Sequence, residues 1–150
     1  MRREFDSLLP PLKKEVEMKP KKILFICKHN RFRSVIAEAV FKKFNKKKNI
    51  KVSSAGIFQG LPIAKNLIRI SKKYNLKLKQ KPQAIQEKWF KELDLIVIVA
   101  SDVPKKLFKN RIKKVIVWKI PDCSCSDNKC IEKTSKKIIK KVENFVRRLG

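Results

Sequence analysis

Ile23-Leu24-Phe25-Ile26-Cys27-Lys28-His29-Asn30-Arg31-Phe32-Arg33-Ser34 is the stretch on which the fold turns. Ile23 to Ile26 is a short, wholly apolar run behind Lys21 and Lys22, the pattern of a strand buried on both faces. From about Ser34 to Phe44, the residues Ile36, Val40 and Phe44 recur four apart and mark one face of a helix. A polar loop that opens on Cys27 joins the two. Open α/β sheets bind ligands beyond the carboxyl ends of their strands, and the first strand delivers Cys27 there.

The same alternation continues outward from this unit. Val52-Ser53-Ser54 reads as a second strand ended by Gly56, and Ile63, Leu67, Ile70 and Tyr74 as a helical stripe opened by Pro62. Gln86 to Leu93 reads as a brief helix. Leu95-Ile96-Val97-Ile98-Val99 is the strongest strand, β-branched and continuously apolar. A short helix near Pro104 to Phe108 precedes a fourth strand, Val115-Ile116-Val117-Trp118. A last helix begins at about Ile131, with Ile138, Val142, Phe145 and Leu149 on its apolar face. Buried strands alternating with amphipathic helices, joined by right-handed crossovers, predict a small doubly wound α/β domain. Its four-stranded parallel sheet is expected to be flanked by helices on both faces. Residues 21–150 form that domain in this reading. Residues 1–20, with Pro10, Pro11 and Pro20 among mixed charges, form an N-terminal extension.

The chain has 150 residues, enough for one domain with one core. No apolar run approaches the ~18 residues of a membrane span, and the first twenty residues lack a signal peptide's apolar stretch. A cytoplasmic protein with no membrane partner is the expectation. Lys and Arg number 40 against 13 Asp and Glu, a formal charge of +27. Such a field concentrates anions, and nonspecific polyanion binding is expected at low salt. The basic residues are spread over every segment rather than gathered on one element, so a dedicated nucleic-acid module is not indicated.

Cys27 and Arg33 are spaced to bracket a loop wrapped around a tetrahedral oxyanion. Backbone N–H groups of Lys28, His29, Asn30, Arg31 and Phe32, with the first helical turn, would point inward as a phosphate-binding loop. The Arg33 guanidinium can clamp two oxygens in bidentate fashion. A cysteine at a helix N-terminus beside cations favours the nucleophilic thiolate. Ser34 can donate a hydrogen bond to it, and Asn30 tolerates the left-handed backbone that a tight loop needs.

Cys27, Asn30, Arg33 and Ser34, followed by Ile36-Ala37-Glu38-Ala39-Val40-Phe41, closely resemble the low-molecular-weight protein tyrosine phosphatases and their arsenate reductase relatives. Ser54-Ala55-Gly56, Gly60, Asp94-Leu95-Ile96 and an acidic residue after the fourth strand extend the resemblance over roughly Lys21 to Leu149. It implies phosphomonoester hydrolysis through a phospho-cysteine, without cofactor or metal, on a phosphorylated protein or small molecule. It also implies a general acid, the Asp of an Asp-Pro pair after the last strand. Pro121-Asp122-Cys123 occupies that place, so Asp122 is the expected acid although Cys123 replaces the proline; Asp127 is the fallback. The family's aromatic wall is missing from this loop, which holds Ser124, Cys125 and Ser126; Phe58 could supply one wall. His29, the single histidine, is expected to be structural.

Cys123, Cys125 and Cys130 crowd into the Asp122 loop. Three thiols without a fourth ligand make a poor metal site. As redox partners they could meet an oxidised or arsenylated Cys27, with Cys123 or Cys125 the expected bridge. That keeps a second reading open, a thiol-dependent reductase acting on arsenate with a thioredoxin-like reductant. Against it, Ala100 to Arg111 lacks the two further cysteines that thioredoxin-linked arsenate reductases carry there. A non-catalytic polyanion-binding module is the third.

Overall fold

The computed structural model describes residues 19–58, 60–79 and 81–149. Of the expected extension, only Lys19 and Pro20 fall among them. Four strands, β1 (Lys22–Cys27), β2 (Lys51–Gly56), β3 (Leu95–Val99) and β4 (Val115–Trp118), form one sheet in the order β2-β1-β3-β4. Every pairing is parallel, with Cys27 opposite Gly56 and Ile26 opposite Ile98. Strand order reverses beside β1, so the crevice of the sheet opens at the end of β1.

Three α-helices accompany the strands: α1 (Arg33–Phe44), α2 (Lys65–Lys73) and α3 (Asn128–Leu149). Successive strand residues point to opposite faces, and the two cores separate accordingly. Ile23, Phe25, Val97 and Val99 pack with Val40 of α1, Leu67 of α2 and Ile138 and Val142 of α3. Leu24, Ile26, Ile96 and Ile98 pack instead with Phe108, Trp89 and Phe90. Helices thus flank both faces, but unequally. The second face is covered by 3₁₀ turns at Glu87–Lys91 and Lys105–Phe108 and their flanking loops. These are the two brief helices expected there, wound more tightly than an α-helix.

Helix α1 is buried from Arg33 to Phe41, since the sheet covers one side and α3 the other. Boundaries differ from expectation in three places. Strand β2 takes in Lys51 and extends to Gly56, because its ladder to β1 is a backbone property that does not need apolar side chains. Pro62 does not open α2; Ala64 is still extended (ψ 139°) and the helix begins at Lys65. Helix α3 starts at Asn128, because Asp127 accepts the Cys130 N–H at 3.0 Å and caps it.

Candidate active site

The loop between β1 and α1 is held from below by a directed set of hydrogen bonds. Asn30 lies in the left-handed region (φ 52°) and is completely buried. Its Nδ2 donates to Ser34 Oγ at 2.8 Å and to Ser54 Oγ at 3.0 Å. Ser34 Oγ therefore accepts from Asn30, which leaves its own proton for the Cys27 sulfur 2.9 Å away. The structure thus brings Ser34 to the Cys27 sulfur and Asn30 to the left-handed position of the loop. Cys27 itself is buried, at the carboxyl end of β1.

Gly56 permits this loop. A Cβ there would lie 2.7 Å from the Lys28 carbonyl oxygen and 2.9 Å from Asn30 N. Ile57 and Phe58 donate backbone N–H groups to the carbonyls of Cys27 and Lys28, and Leu61 donates to that of His29. These bonds turn the loop's carbonyls away, toward the β2 side. The His29 ring stacks against Phe58 at 5.7 Å between centroids. Phe32 is buried in the core beneath the loop, so only its backbone can serve a ligand. Lys28 and Arg31 remain partly exposed on the rim.

Arg33 is 2% exposed and ties three segments together. Nη1 donates to the Ile120 carbonyl at 2.9 Å and pairs with Asp102 Oδ1 at 3.0 Å. Nε stands 3.7 Å from Asp122 Oδ1. The expected acid therefore stands at the guanidinium, half exposed, and its Oδ1 also accepts the Cys123 N–H at 2.9 Å. Asp127, the fallback, caps α3 instead. Asp102 was missed by the sequence reading. Burial pushes its carboxyl up, but the Arg33 hydrogen bond and charge outweigh that and hold it below the usual carboxylate value. Its position three residues past the strongest strand was the available signal.

A second missed group lies under the loop. Glu38 is buried on α1 and accepts from Ser54 Oγ, while Lys79 Nζ donates to Asn30 Oδ1 at 3.0 Å and to the Ser54 carbonyl at 2.8 Å. Burial lowers the Lys79 pKa from its ordinary value, with the Glu38 charge opposing.

The cysteine cluster corrects the sequence reading. Cys123 is bonded to Cys130 in a disulfide that links the Asp122 loop to the first turn of α3, so Cys123 is not the partner of Cys27. The two lie seven residues apart, and the capped start of α3 brings them to a Cα separation of 5.9 Å. Cys125 is free and exposed. Asn66 of α2 holds the loop from its other side, donating to the Cys125 carbonyl and Asn128 Oδ1. Among the described residues, no group of His, Cys, Asp or Glu could hold a metal ion.

No curated protein matches this chain in sequence. Solved structures do. An arsenate reductase from Archaeoglobus fulgidus is 29% identical with a TM-score of 0.70, and the match covers 83% of this chain and 98% of that one. SP-PTP, a low molecular weight protein tyrosine phosphatase from Streptococcus pyogenes, is 24% identical with a TM-score of 0.75, covering 87% and 93%. The YwlE arginine phosphatase of Bacillus subtilis is 18% identical at TM-score 0.75, covering 85% and 95%, which is a likeness of fold alone. The family model for low molecular weight phosphotyrosine protein phosphatases matches residues 22–150. With the whole sheet and the Cys27 to Ser34 loop inside that match, the chain belongs to the low molecular weight phosphotyrosine protein phosphatase family.

Proposed function

We propose that this enzyme hydrolyses phosphomonoesters through a phospho-cysteine formed on Cys27. The observation that carries this is the hydrogen-bonded chain from Asn30 to Ser34 to Cys27, which sets a hydroxyl 2.9 Å from the sulfur at the carboxyl end of β1. Backbone N–H groups of Lys28 to Phe32 and the Arg33 guanidinium receive the phosphoryl oxygens. The Cys27 thiolate attacks phosphorus, the bond from phosphorus to the ester oxygen breaks, and the Asp122 carboxyl gives its proton to that oxygen. The Asp122 carboxylate then takes a proton from water as the water oxygen attacks phosphorus. The S–P bond breaks, returning the thiolate and releasing inorganic phosphate. The loss of the aromatic wall from the Asp122 loop leaves Phe58 and the cationic rim to contact the leaving group.

We take residues 21–150 as the catalytic domain and residues 1–20 as an extension to it. Among the described residues, no helix is long and apolar enough to cross a membrane. A cytoplasmic setting would keep the Cys27 nucleophile reduced, and would equally expose the Cys123–Cys130 bond to reduction.

The test is hydrolysis of an aryl phosphate by the wild type and two variants. Cys27→Ser is expected to abolish turnover while still binding phosphate or vanadate. Arg33→Lys is expected to lose both, because a point charge cannot span two oxygens. Retention of more than a few per cent of activity in Cys27→Ser excludes the covalent route. Polyanion binding with no turnover in the wild type would favour a non-catalytic module. Arsenate reduction is the second reading, favoured by the likeness to the Archaeoglobus arsenate reductase and by the free Cys125 in the Asp122 loop. Two thiols would become one disulfide as arsenate is reduced to arsenite, with a thioredoxin-like protein or a small thiol restoring them. Arsenate with each reductant, assayed in parallel, separates the two.

A further inference from the structure

We infer that Lys79 is a positioning residue of the oxyanion loop, its ammonium acting as a fixed internal cation that holds Asn30 and so the anion-binding form of the loop. The inference rests on the oxyanion-binding reading of that loop and goes beyond it.

Geometry carries the argument. Lys79 Nζ lies on the underside of the loop, with its side chain 14% exposed. It donates to Asn30 Oδ1 at 3.0 Å, to the Ser54 carbonyl at 2.8 Å and to Ser54 Oγ at 3.4 Å. These are the acceptors on the two residues that organise the loop. Asn30 has its other amide atom committed to Ser34 and Ser54, so fixing Oδ1 fixes the orientation of the whole amide. An inverted or swinging Asn30 amide would no longer donate to Ser34, and the Ser34 proton would no longer be directed at Cys27. The Gln83 backbone N–H also reaches Asn30 Oδ1 at 3.0 Å, but it brings no charge.

Charge is what the burial needs. Glu38 Oε1 stands 4.0 Å from Lys79 Nζ, and its carboxylate is nearly as buried as the core. The charged and titratable groups facing Lys79 are Glu38 and Lys42 of α1 and Cys27 at the end of β1. Lys42 pairs with the outer oxygen of Glu38 at 2.8 Å, which leaves the inner oxygen to Ser54 and Lys79. The cation therefore sits between a buried carboxylate and a site for a dianion, where its field strengthens anion binding above it.

Two readouts then move in opposite directions with pH. Burial lowers the Lys79 pKa, so in the folded protein its proton leaves before the ordinary lysine value of about 10.4. A cation whose folded pKa is lowered costs stability below that value, and the cost is relieved as pH rises through it. Loop organisation behaves oppositely, because the fixed cation is lost over the same range. A purely structural lysine would leave phosphate affinity unchanged there.

The experiment measures inhibition by inorganic phosphate, with thermal stability, from neutral pH into the alkaline range below the ordinary lysine pKa. Phosphate is dianionic from mildly alkaline pH upward, so the trend is read over that part of the range, where its own charge does not change. The full chain, Lys79→Met and Lys79→Arg are compared. Wild-type affinity is expected to fall as pH rises, while the protein stays folded. Lys79→Met is expected to bind phosphate about tenfold more weakly at neutral pH, the scale of a lost charged hydrogen bond, and to lose the alkaline decline. Lys79→Arg should recover part of the neutral affinity and show no decline in this range. A folded Lys79→Met with wild-type affinity and an unchanged alkaline decline overturns the inference. If Lys79→Met does not fold, Lys79→Gln, which can still donate to Asn30 Oδ1 but carries no charge, takes its place, and wild-type phosphate affinity in that variant overturns the inference equally. A wild type that binds no phosphate at neutral pH removes the oxyanion-binding reading and this inference with it.

Discussion

Arg33 and Asp102 face each other at the carboxyl end of the sheet, Nη1 to Oδ1 at 3.0 Å and Nη2 to Oδ2 at 3.4 Å. The carboxylate holds one edge of the guanidinium and leaves Nε on the side of Asp122. Asp102→Ala should release that edge and lower kcat/KM by about 10- to 100-fold, the cost of a misplaced clamp. Asp102→Asn, which keeps one acceptor, should lose less. The pair also predicts a pH dependence. A carboxyl whose folded pKa is lowered stabilises the fold above its unfolded value, and that contribution is lost as pH falls through the lowered value. The stability gap between wild type and Asp102→Ala, measured by urea titration, should therefore close on acidification. A gap that persists unchanged into acid contradicts the pairing.

Gly56→Ala tests the contact between β2 and the loop. The new methyl would meet three backbone atoms of residues 28–30, at 2.7 to 2.9 Å, none of which can swing aside like a side chain. The loop has to shift, and a destabilisation of roughly 1–3 kcal/mol is expected from overpacking. Activity should fall further than stability does, because the displaced atoms belong to the anion-binding backbone. An active, folded Gly56→Ala would show that the loop tolerates movement.

Asp122→Asn should slow hydrolysis of esters with poor leaving groups by about 10²- to 10⁴-fold, the range for loss of a general acid. The loss should shrink for a nitrophenyl ester, whose leaving group needs less help. Asp127→Ala should spare chemistry and cost stability, about 1 kcal/mol for a lost cap. The reverse pattern would exchange the two roles.

The Cys123–Cys130 bond predicts a specific fragment. Tryptic digestion without reductant should recover the peptide Ile120–Lys129 joined to Cys130–Lys133. After mild peroxide, Cys27 should be found as sulfinic or sulfonic acid, or bridged to Cys125, the cysteine left free in the loop. A Cys27–Cys123 bridge with Cys130 left as a free thiol would restore the pairing expected from sequence.

The strands and the oxyanion loop were legible in the sequence because their causes are local. A short unbroken apolar run between two lysines and a polar loop has the length and flanks of a buried strand in a parallel sheet, and that strand delivers Cys27 at its end. Asn30 at the left-handed position and Ser34 at the sulfur follow from side-chain chemistry within seven residues of Cys27. The partners of those residues come from far along the chain. Asp102 reaches Arg33 across 69 residues, and Lys79 reaches Asn30 across 49. No periodicity marks either one; in a chain with 40 basic residues, nothing local separates Lys79 from the other lysines. The cysteine pairing is local, spanning seven residues, and was decided by Asp127 capping α3 early enough to bring Cys130 against Cys123. Sequence determined the elements and the loop, since backbone pattern and local hydrogen bonding act over short distances. Only tertiary structure decided which charges are buried against which, because burial is a property of the packed sheet and helices together.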